Sequence, residues 1–315
     1  VRAAVAVAPG GPEVLQIQEI PTPVPQVGQV LIRVHAAGLN RAELFTRQGD
    51  SPGVRFPRVL GIEATGEVVA APGGELAVGQ RVVTLMGGMG RQFDGGYAQY
   101  TCVPAAQVVP VDTTLPWPVL GALPEMFQTA SGSLRVMGVV PGQTLLIRGG
   151  TSSVGLCTGR LAADSGVRVL ATTRNPKKFS VLQDNGAEPV LEQAKLQVEP
   201  VDHVLELIGA TTLVDSLGCV RPGGVVCMTG ILGGAWVLPD FEPMTQIPTG
   251  VMLTAYSGGH QDLDRAAFAD FVRAVEQGRF PLRLAPTFPL DRIQDAHRGM
   301  EANAFAGKVV VLPWG

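Results

Sequence analysis

The first part of the chain reads as short apolar runs broken by glycine and proline. Residues 30–36, 66–69 and 80–85 have the β-branched content and the bounded length of strands. Pro21, Pro23 and Pro25 punctuate an extended connection ahead of the first of these runs. This pattern predicts a compact, β-rich, barrel-like domain without long helices. The rhythm changes near Pro116, Trp117 and Pro118. Strongly apolar runs at 144–148, 167–172, 201–207 and 224–229 then alternate with helical periodicity, including helices through about Asp164 and over 176–185. A further run at 251–256 ends the series. Alternating strands and helices imply right-handed βαβ units and a parallel sheet. The tail from Gly259 predicts two helical stretches and a final strand over 308–312. Neither an internal repeat nor a low-complexity segment interrupts this plan.

Composition narrows the function classes. A length of 315 residues favours two domains over a single core. With 24 basic against 27 acidic side chains, no basic surplus exists for holding nucleic acid by its phosphates. No apolar run reaches the roughly 18 to 20 residues of a membrane span. The first ten residues are apolar, but they alternate like a first strand and are not read as a leader. Four cysteines, Cys102, Cys157, Cys219 and Cys227, form no C-x-x-C pair, as expected for reduced, mostly buried thiols of a cytoplasmic enzyme.

The most informative stretch runs from Gly149 through Gly150, Thr151, Ser152, Ser153 and Val154 to Gly155, between a buried strand and a helix. Such a turn lets backbone N–H groups approach a pyrophosphate at a helix N-terminus. The G-x-G-x-x-G pattern is not met, because serines occupy the middle positions. The strand before, the helix after and the strand beyond nevertheless make a dinucleotide site the expected reading. The end of the second strand selects the dinucleotide. An NAD site has an acid there to hold the ribose hydroxyls. Here Thr172, Thr173, Arg174, Asn175, Pro176, Lys177 and Lys178 contain none. Arg174 and Lys178 suit a 2′-phosphate, with a hydrogen bond from Thr173. Positive charge at a helix start opposes the macrodipole, which favours a functional explanation and hence NADPH.

At this point the chain resembles the medium-chain dehydrogenase/reductase superfamily, and more narrowly its zinc-free quinone oxidoreductase branch, which includes zeta-crystallin. Gly38, Asn40, Glu43, Arg47 and Gly49 follow that branch's G-x-N-x-x-D-x-x-x-R-x-G spacing, with Glu in place of Asp. Segments 57–66, 95–100 and 221–224 carry further matches, and the resemblance runs over essentially the whole chain. It implies an α/β fold: a Rossmann doubly wound parallel sheet at 118–258, inserted in a GroES-like β-rich catalytic domain of 1–117 completed by 259–315. Carried over residue by residue, it implies that Asn40 and Thr129 lie at the nicotinamide end. Gly150 to Gly155 would hold the pyrophosphate, and Thr173, Arg174 and Lys178 the 2′-phosphate. Gly209, Gly230 and Ile231 would border the cofactor, with Tyr256 and Ser257 near the nicotinamide. Segment 251–256 resembles the edge strand through which such proteins form homodimers.

Zinc-dependent relatives carry a Cys near Asn40 and a His between the Gly and Glu that here flank Ile62. Isoleucine cannot ligate, and 85–96 lacks the cysteines of a structural zinc lobe. No metal is therefore expected. Without a Lewis acid an unactivated alcohol is hard to oxidise, whereas a polarised conjugated carbonyl remains reducible. The expected activity is zinc-independent, NADPH-dependent reduction of a quinone-like conjugated carbonyl, with Asn40 and Tyr256 as the candidate catalytic residues. An enone or enal reductase and a non-catalytic NADPH-binding redox sensor are the alternatives. Phe45 stands where the quinone branch often has Tyr, so one hydroxyl is missing. Glu43 is expected to pair with Arg47, four residues on in the same helix.

Overall fold

The computed structural model describes residues 1–315, and the chain divides into two compact units, Val1–Glu125 with Gly259–Gly315, and Met126–Gly258. The first unit begins with β1 (Arg2–Ala6), β2 (Leu15–Glu19) and β3 (Gln29–Gly38), followed by α1 (Arg41–Gln48). Next come β4 (Arg58–Val59), β5 (Glu63–Ala70), β6 (Arg81–Leu85), β7 (Tyr100–Pro104), β8 (Val108–Pro110) and the short α2 (Trp117–Leu120). Helix α3 (Pro124–Met137) carries the chain across the division.

The second unit contains β9 (Thr144–Arg148), α4 (Ser153–Asp164), β10 (Arg168–Thr173), α5 (Phe179–Asp184) and β11 (Glu188–Leu191). It continues with β12 (Val201–Glu206), α6 (Ala210–Gly218), β13 (Val220–Met228), α7 (Pro243–Gln246) and β14 (Met252–Ala255). The chain then returns to the first unit as α8 (Arg265–Glu276), β15 (Leu284–Pro289), α9 (Ile293–Glu301) and β16 (Lys308–Leu312).

In the first unit a seven-stranded sheet runs β15-β16-β3-β5-β6-β8, with β7 also paired to β3, beside a three-stranded sheet β2-β1-β4. The tail is integral to this unit, because β16 pairs antiparallel with β3 through Val310 opposite Gly38 and Val311 opposite Ala37. Ala4, Val30, Ile32, Leu60, Val103, Ile293 and Val311 form one continuous core. The composition change near Trp117 coincides with the start of α2, but the division falls after Glu125. Ala122, and Trp117 at its edge, pack with Ala36 and Val310 of the first unit's strands, which keeps that stretch with the first unit.

The second unit is built on a wholly parallel six-stranded sheet, β11-β10-β9-β12-β13-β14. Its strands are apolar on both faces, as a sheet covered twice requires. Leu145, Ile147, Leu205 and Cys227 face one core with Leu156 of α4 and Leu182 of α5. Leu146, Val204 and Val226 face the other with Leu213 and Leu217 of α6. The strand order reverses between β9 and β12, the topology of a doubly wound nucleotide-binding sheet. Strands β11 and β14 are its two edges, and Met252 on β14 is exposed.

Candidate functional site

In such a sheet ligands bind beyond the carboxyl ends of the strands, at the reversal of strand order. β9 ends there at Arg148 and turns through Gly149, whose φ of 84° is open to glycine and strained for other residues. A Cβ at that position would also press on Leu232 and Leu207. The turn is anchored to β10: Gly149 N–H donates to Thr172 Oγ1 (3.1 Å) and Gly150 N–H to Thr172 O (2.9 Å). Ser152 caps α4, accepting from Gly155 N–H (3.1 Å) while its own hydroxyl donates to Gly149 O (2.8 Å). The cap leaves Ser153 and Val154, the first two helical residues, with N–H groups that have no intrahelical acceptor. Thr151, Ser152, Ser153 and Val154 are half-buried, and no bulky side chain interrupts the turn. This is the donor set and the close approach that a pyrophosphate needs, and it fits a dinucleotide.

Beyond β10, buried Thr173 accepts from Asn175 N–H through Oγ1 (3.3 Å), and Asn175 Oδ1 caps Lys177 N–H (3.0 Å). Arg174 and Lys177 are exposed and Lys178 is half-buried, so three cations follow the strand end. The neighbouring acid is Glu192, just after β11, whose N–H donates to Thr173 O (3.0 Å). Its carboxylate is committed to Arg148 and does not serve this strand end.

Across the reversal, Glu206 ends β12. Its Oε1 accepts from Ile208 N–H (2.8 Å) and Gly209 N–H (2.9 Å), and its carbonyl from Thr229 N–H (2.9 Å) and Gly230 N–H (3.1 Å). Gly209 thereby lies against Gly230 and Ile231, leaving only 3.1 Å between a Cβ there and Gly230 O. Burial raises the Glu206 carboxyl above the usual range, against the opposing pull of Ser216, Gly209 and Arg148. Arg148 is wholly buried and donates to Glu192, Asp215 (2.6 Å), Thr212 O (3.3 Å), Ser216 Oγ (3.3 Å) and Gln193 O (3.1 Å). Burial alone would lower its affinity for a proton, but Glu192, Glu206 and Asp215 more than reverse that. Neither Arg148 nor Glu206 was singled out in the sequence. The available signal was a charge ending an apolar run at each of the two strands that flank the reversal.

Thr129 lies in α3, and its carbonyl accepts from Ser133 Oγ (2.7 Å), which also contacts Thr229 Oγ1 (3.1 Å). Tyr256 follows β14, its N–H donating to Met228 O (2.9 Å) and its phenol oxygen accepting from Gln128 Nε2 (2.7 Å). Ser257, next in the chain, is exposed. The second unit thus assembles the expected residues around one sheet edge, from Thr173 and Arg174 on the β10 side to Tyr256 on the β14 side.

Asn40 belongs to the first unit and caps α1. Its Oδ1 accepts from the Lys308 ammonium, and its Nδ2 donates to Glu63 Oε1 (3.0 Å), with longer contacts to Glu43 Oε1 (3.3 Å) and Gly38 O (3.4 Å). An amide flip would set its NH2 group against the ammonium, so the amide is held in one orientation. The expected Glu43–Arg47 pair does not form. Glu43 turns toward the helix start and accepts from Asn40 N–H (2.9 Å) and Ile62 N–H (2.9 Å). Arg47, also wholly buried, reaches Glu301, Gly10 O (3.0 Å) and His297 Nδ1 (3.2 Å). Capping places the third helical residue opposite to the direction in which an i,i+4 partner lies.

Comparison with known proteins agrees with this architecture. Residues 26–113 match the alcohol dehydrogenase GroES-like domain, and residues 180–311 match the zinc-binding dehydrogenase family. The chain is 28% identical to the quinone oxidoreductase of Lama guanicoe, covering 96% of this chain and 94% of that protein. It is 26% identical to that of Pseudomonas aeruginosa, covering 96% and 97%. Among solved structures, mycobacterial Rv1454c complexed with NADPH superposes with a TM-score of 0.87 at 26% identity, covering 99% of both chains. A thermostable alcohol dehydrogenase from Pyrobaculum aerophilum superposes with 0.87 at 29% identity, again covering 99% of both. A Rossmann-type parallel sheet set within a GroES-like β-rich unit, together with these full-length similarities, assigns the chain to the medium-chain dehydrogenase/reductase superfamily of oxidoreductases.

Proposed function

We propose that the chain is a zinc-independent reductase that uses NADPH to reduce a quinone-like conjugated carbonyl. One observation carries the cofactor choice: the β10 end offers Thr173, Arg174 and Lys178, while the neighbouring acid, Glu192, is spent on Arg148. An NADH site would need an acid at the β10 end to hold the ribose hydroxyls. Bound NADPH supplies a hydride from its nicotinamide, and the chain's residues hold and orient it. The N–H groups at the start of α4 take the pyrophosphate, and Gly209, Gly230 and Ile231 give the close backbone walls of the far side.

Zinc independence rests on the donor set. Ile62 offers only its N–H, which is given to Glu43, and Asn40 and Glu63 are tied to the Lys308 ammonium. A divalent cation there would meet a positive charge in place of a thiolate or imidazole. The exposed edge strand β14 supports a homodimer joined through 251–256, and four cysteines that form no disulfide support a reducing, cytoplasmic setting.

The test is NADPH oxidation with 1,4-benzoquinone and 9,10-phenanthrenequinone, run beside NADH and beside an enone. NADPH is expected to be preferred, and Arg174→Ala to raise the KM for NADPH about tenfold while leaving that for NADH unchanged. Equal use of NADH by the unaltered chain refutes the cofactor reading. Tight NADPH binding without turnover on any acceptor favours the redox-sensor alternative.

A further inference from the structure

One polar arrangement in the second unit is not explained by holding a dinucleotide. Gln128, in α3, is buried and donates from Nε2 to the Tyr256 phenol oxygen at 2.7 Å. Thr129 Oγ1 donates to Gln128 Oε1 (3.4 Å), which sets the end of the amide that faces the phenol. The ring is seated between two glycines. A Cβ on Gly132 would overlap the phenol oxygen and Cζ, and a Cβ on Gly258 would overlap the phenol oxygen and Gln128 Nε2. Gly132 lies within α3, where glycine weakens a helix, so the seat is kept against local preference.

The position of the phenol follows from the topology. The reversal of strand order lies between β9 and β12, and the adenosine end of a dinucleotide goes with the β10 side. The nicotinamide end therefore falls toward β13 and β14, where Tyr256 is the first residue beyond the edge strand. The chain has three tyrosines, and the other two, Tyr97 and Tyr100, belong to the first unit.

We infer that Tyr256 is the proton donor for reduction of a conjugated carbonyl, with Gln128 as its positioning residue. The inference rests on the NADPH-reductase reading above. The amide N–H donated to the phenol oxygen stabilises the phenolate more than the phenol, which makes the hydroxyl a better acid. An enone that has accepted a hydride would be left as an enolate. The Tyr256 O–H bond then breaks, its proton forms the new bond on the enolate, and the electron pair stays on the phenolate oxygen. Water returns a proton to the phenolate. A quinone leaves an anion spread over its ring and second oxygen, for which water suffices as the acid.

Tyr256→Phe keeps the ring and removes the acid. It is expected to lower kcat on an enone by about a hundredfold and kcat on 1,4-benzoquinone by a much smaller factor, no more than about tenfold. Gln128→Leu is expected to lower kcat on the enone about tenfold without moving the KM for NADPH. A second readout needs no turnover. The ultraviolet absorbance of tyrosinate is titrated in the chain without cofactor, and the difference from Tyr256→Phe isolates one phenol. In Gln128→Leu that phenol is expected to titrate at higher pH. Equal losses on enone and quinone, no loss on either, or an unmoved titration in Gln128→Leu overturn the assignment alone. Failure of the unaltered chain to bind NADPH overturns the reductase reading and the assignment with it.

Discussion

Lys308 in the first unit and Arg148 in the second are both wholly buried, and three carboxylates act on each. Lys308 meets Glu63 at 2.7 Å and Glu125 at 3.3 Å, gives a third hydrogen bond to Asn40 Oδ1, and feels Glu43 through its charge. Arg148 meets Glu192 and Asp215 and feels Glu206 through its charge. An ammonium has three donors and a guanidinium five, in a planar fork. Lys308 has therefore spent its donors before Glu43 is reached, and that carboxylate is left with the neutral donors Asn40 and Ile62. Burial pushes its pKa from 4.5 to about 7. Arg148 serves two carboxylates, a hydroxyl and two carbonyls at once, and Ser216 and two backbone N–H groups hold Glu206. Solvent also reaches Asp215, whose side chain is 17% exposed. Burial raises a carboxyl in both units, Glu43 to about 7 and Glu206 above its usual range, but in the second unit more hydrogen bonds and partial hydration oppose it.

The largest effect is expected from Lys308→Met. Removing the one cation strands buried Glu63, Glu125 and Glu43, at a cost of about 4 kcal/mol. Hydrogen exchange of β3 and β16 amides, read against those of β9 and β12, should show the loss confined to the first unit. An unchanged exchange rate in β16 would mean that the carboxylates are already neutral.

Next in size is the pH dependence that Glu43 imposes. Its folded pKa lies above its unfolded value, so the neutral form favours the fold. The contribution is fully present below about pH 4.5 and is lost as pH rises to about 7, a change of about 3 kcal/mol at most. The groups facing it are Lys308, Glu63, Asn40 and Ile62, with Tyr97 close enough for the Glu43 charge to raise the phenol's pKa. Urea unfolding across that pH window should lose this slope in Glu43→Gln. A slope that persists in the variant would place the proton on another member of the cluster.

Arg148→Met is expected to cost less, about 2 kcal/mol, because Asp215 can hydrate when its partner leaves. Its mark should be confined to the second unit, with weaker NADPH binding through the loosened Glu192, since Glu192 N–H holds the end of β10. A loss larger than that of Lys308→Met would show that donor number is not what separates the two clusters.

Much of the fold follows from local pattern. Period and punctuation mark out β3, β5 and β6, the βαβ series and the returning tail, because burial imposes alternation or continuous apolarity along a strand whatever its neighbours are. The tight turn after β9 is legible for a related reason: small residues between a buried strand and a helix are what close backbone approach demands. The missing acid after β10 is legible as well, since it is a property of a few consecutive positions.

The long-range partners were not legible. Arg47 has a suitable acid four residues away, yet it pairs with Glu301 across 254 positions, because the cap at Asn40 turns Glu43 the other way. The seat of Tyr256 depends on Gln128 and Gly132, more than a hundred positions earlier. The chain by itself determined where strands, helices and the glycine turn after β9 arise, since those obey the spacing of neighbours along the backbone. Tertiary structure alone decided which buried charges meet, because desolvation makes each one take the best donor within reach in space.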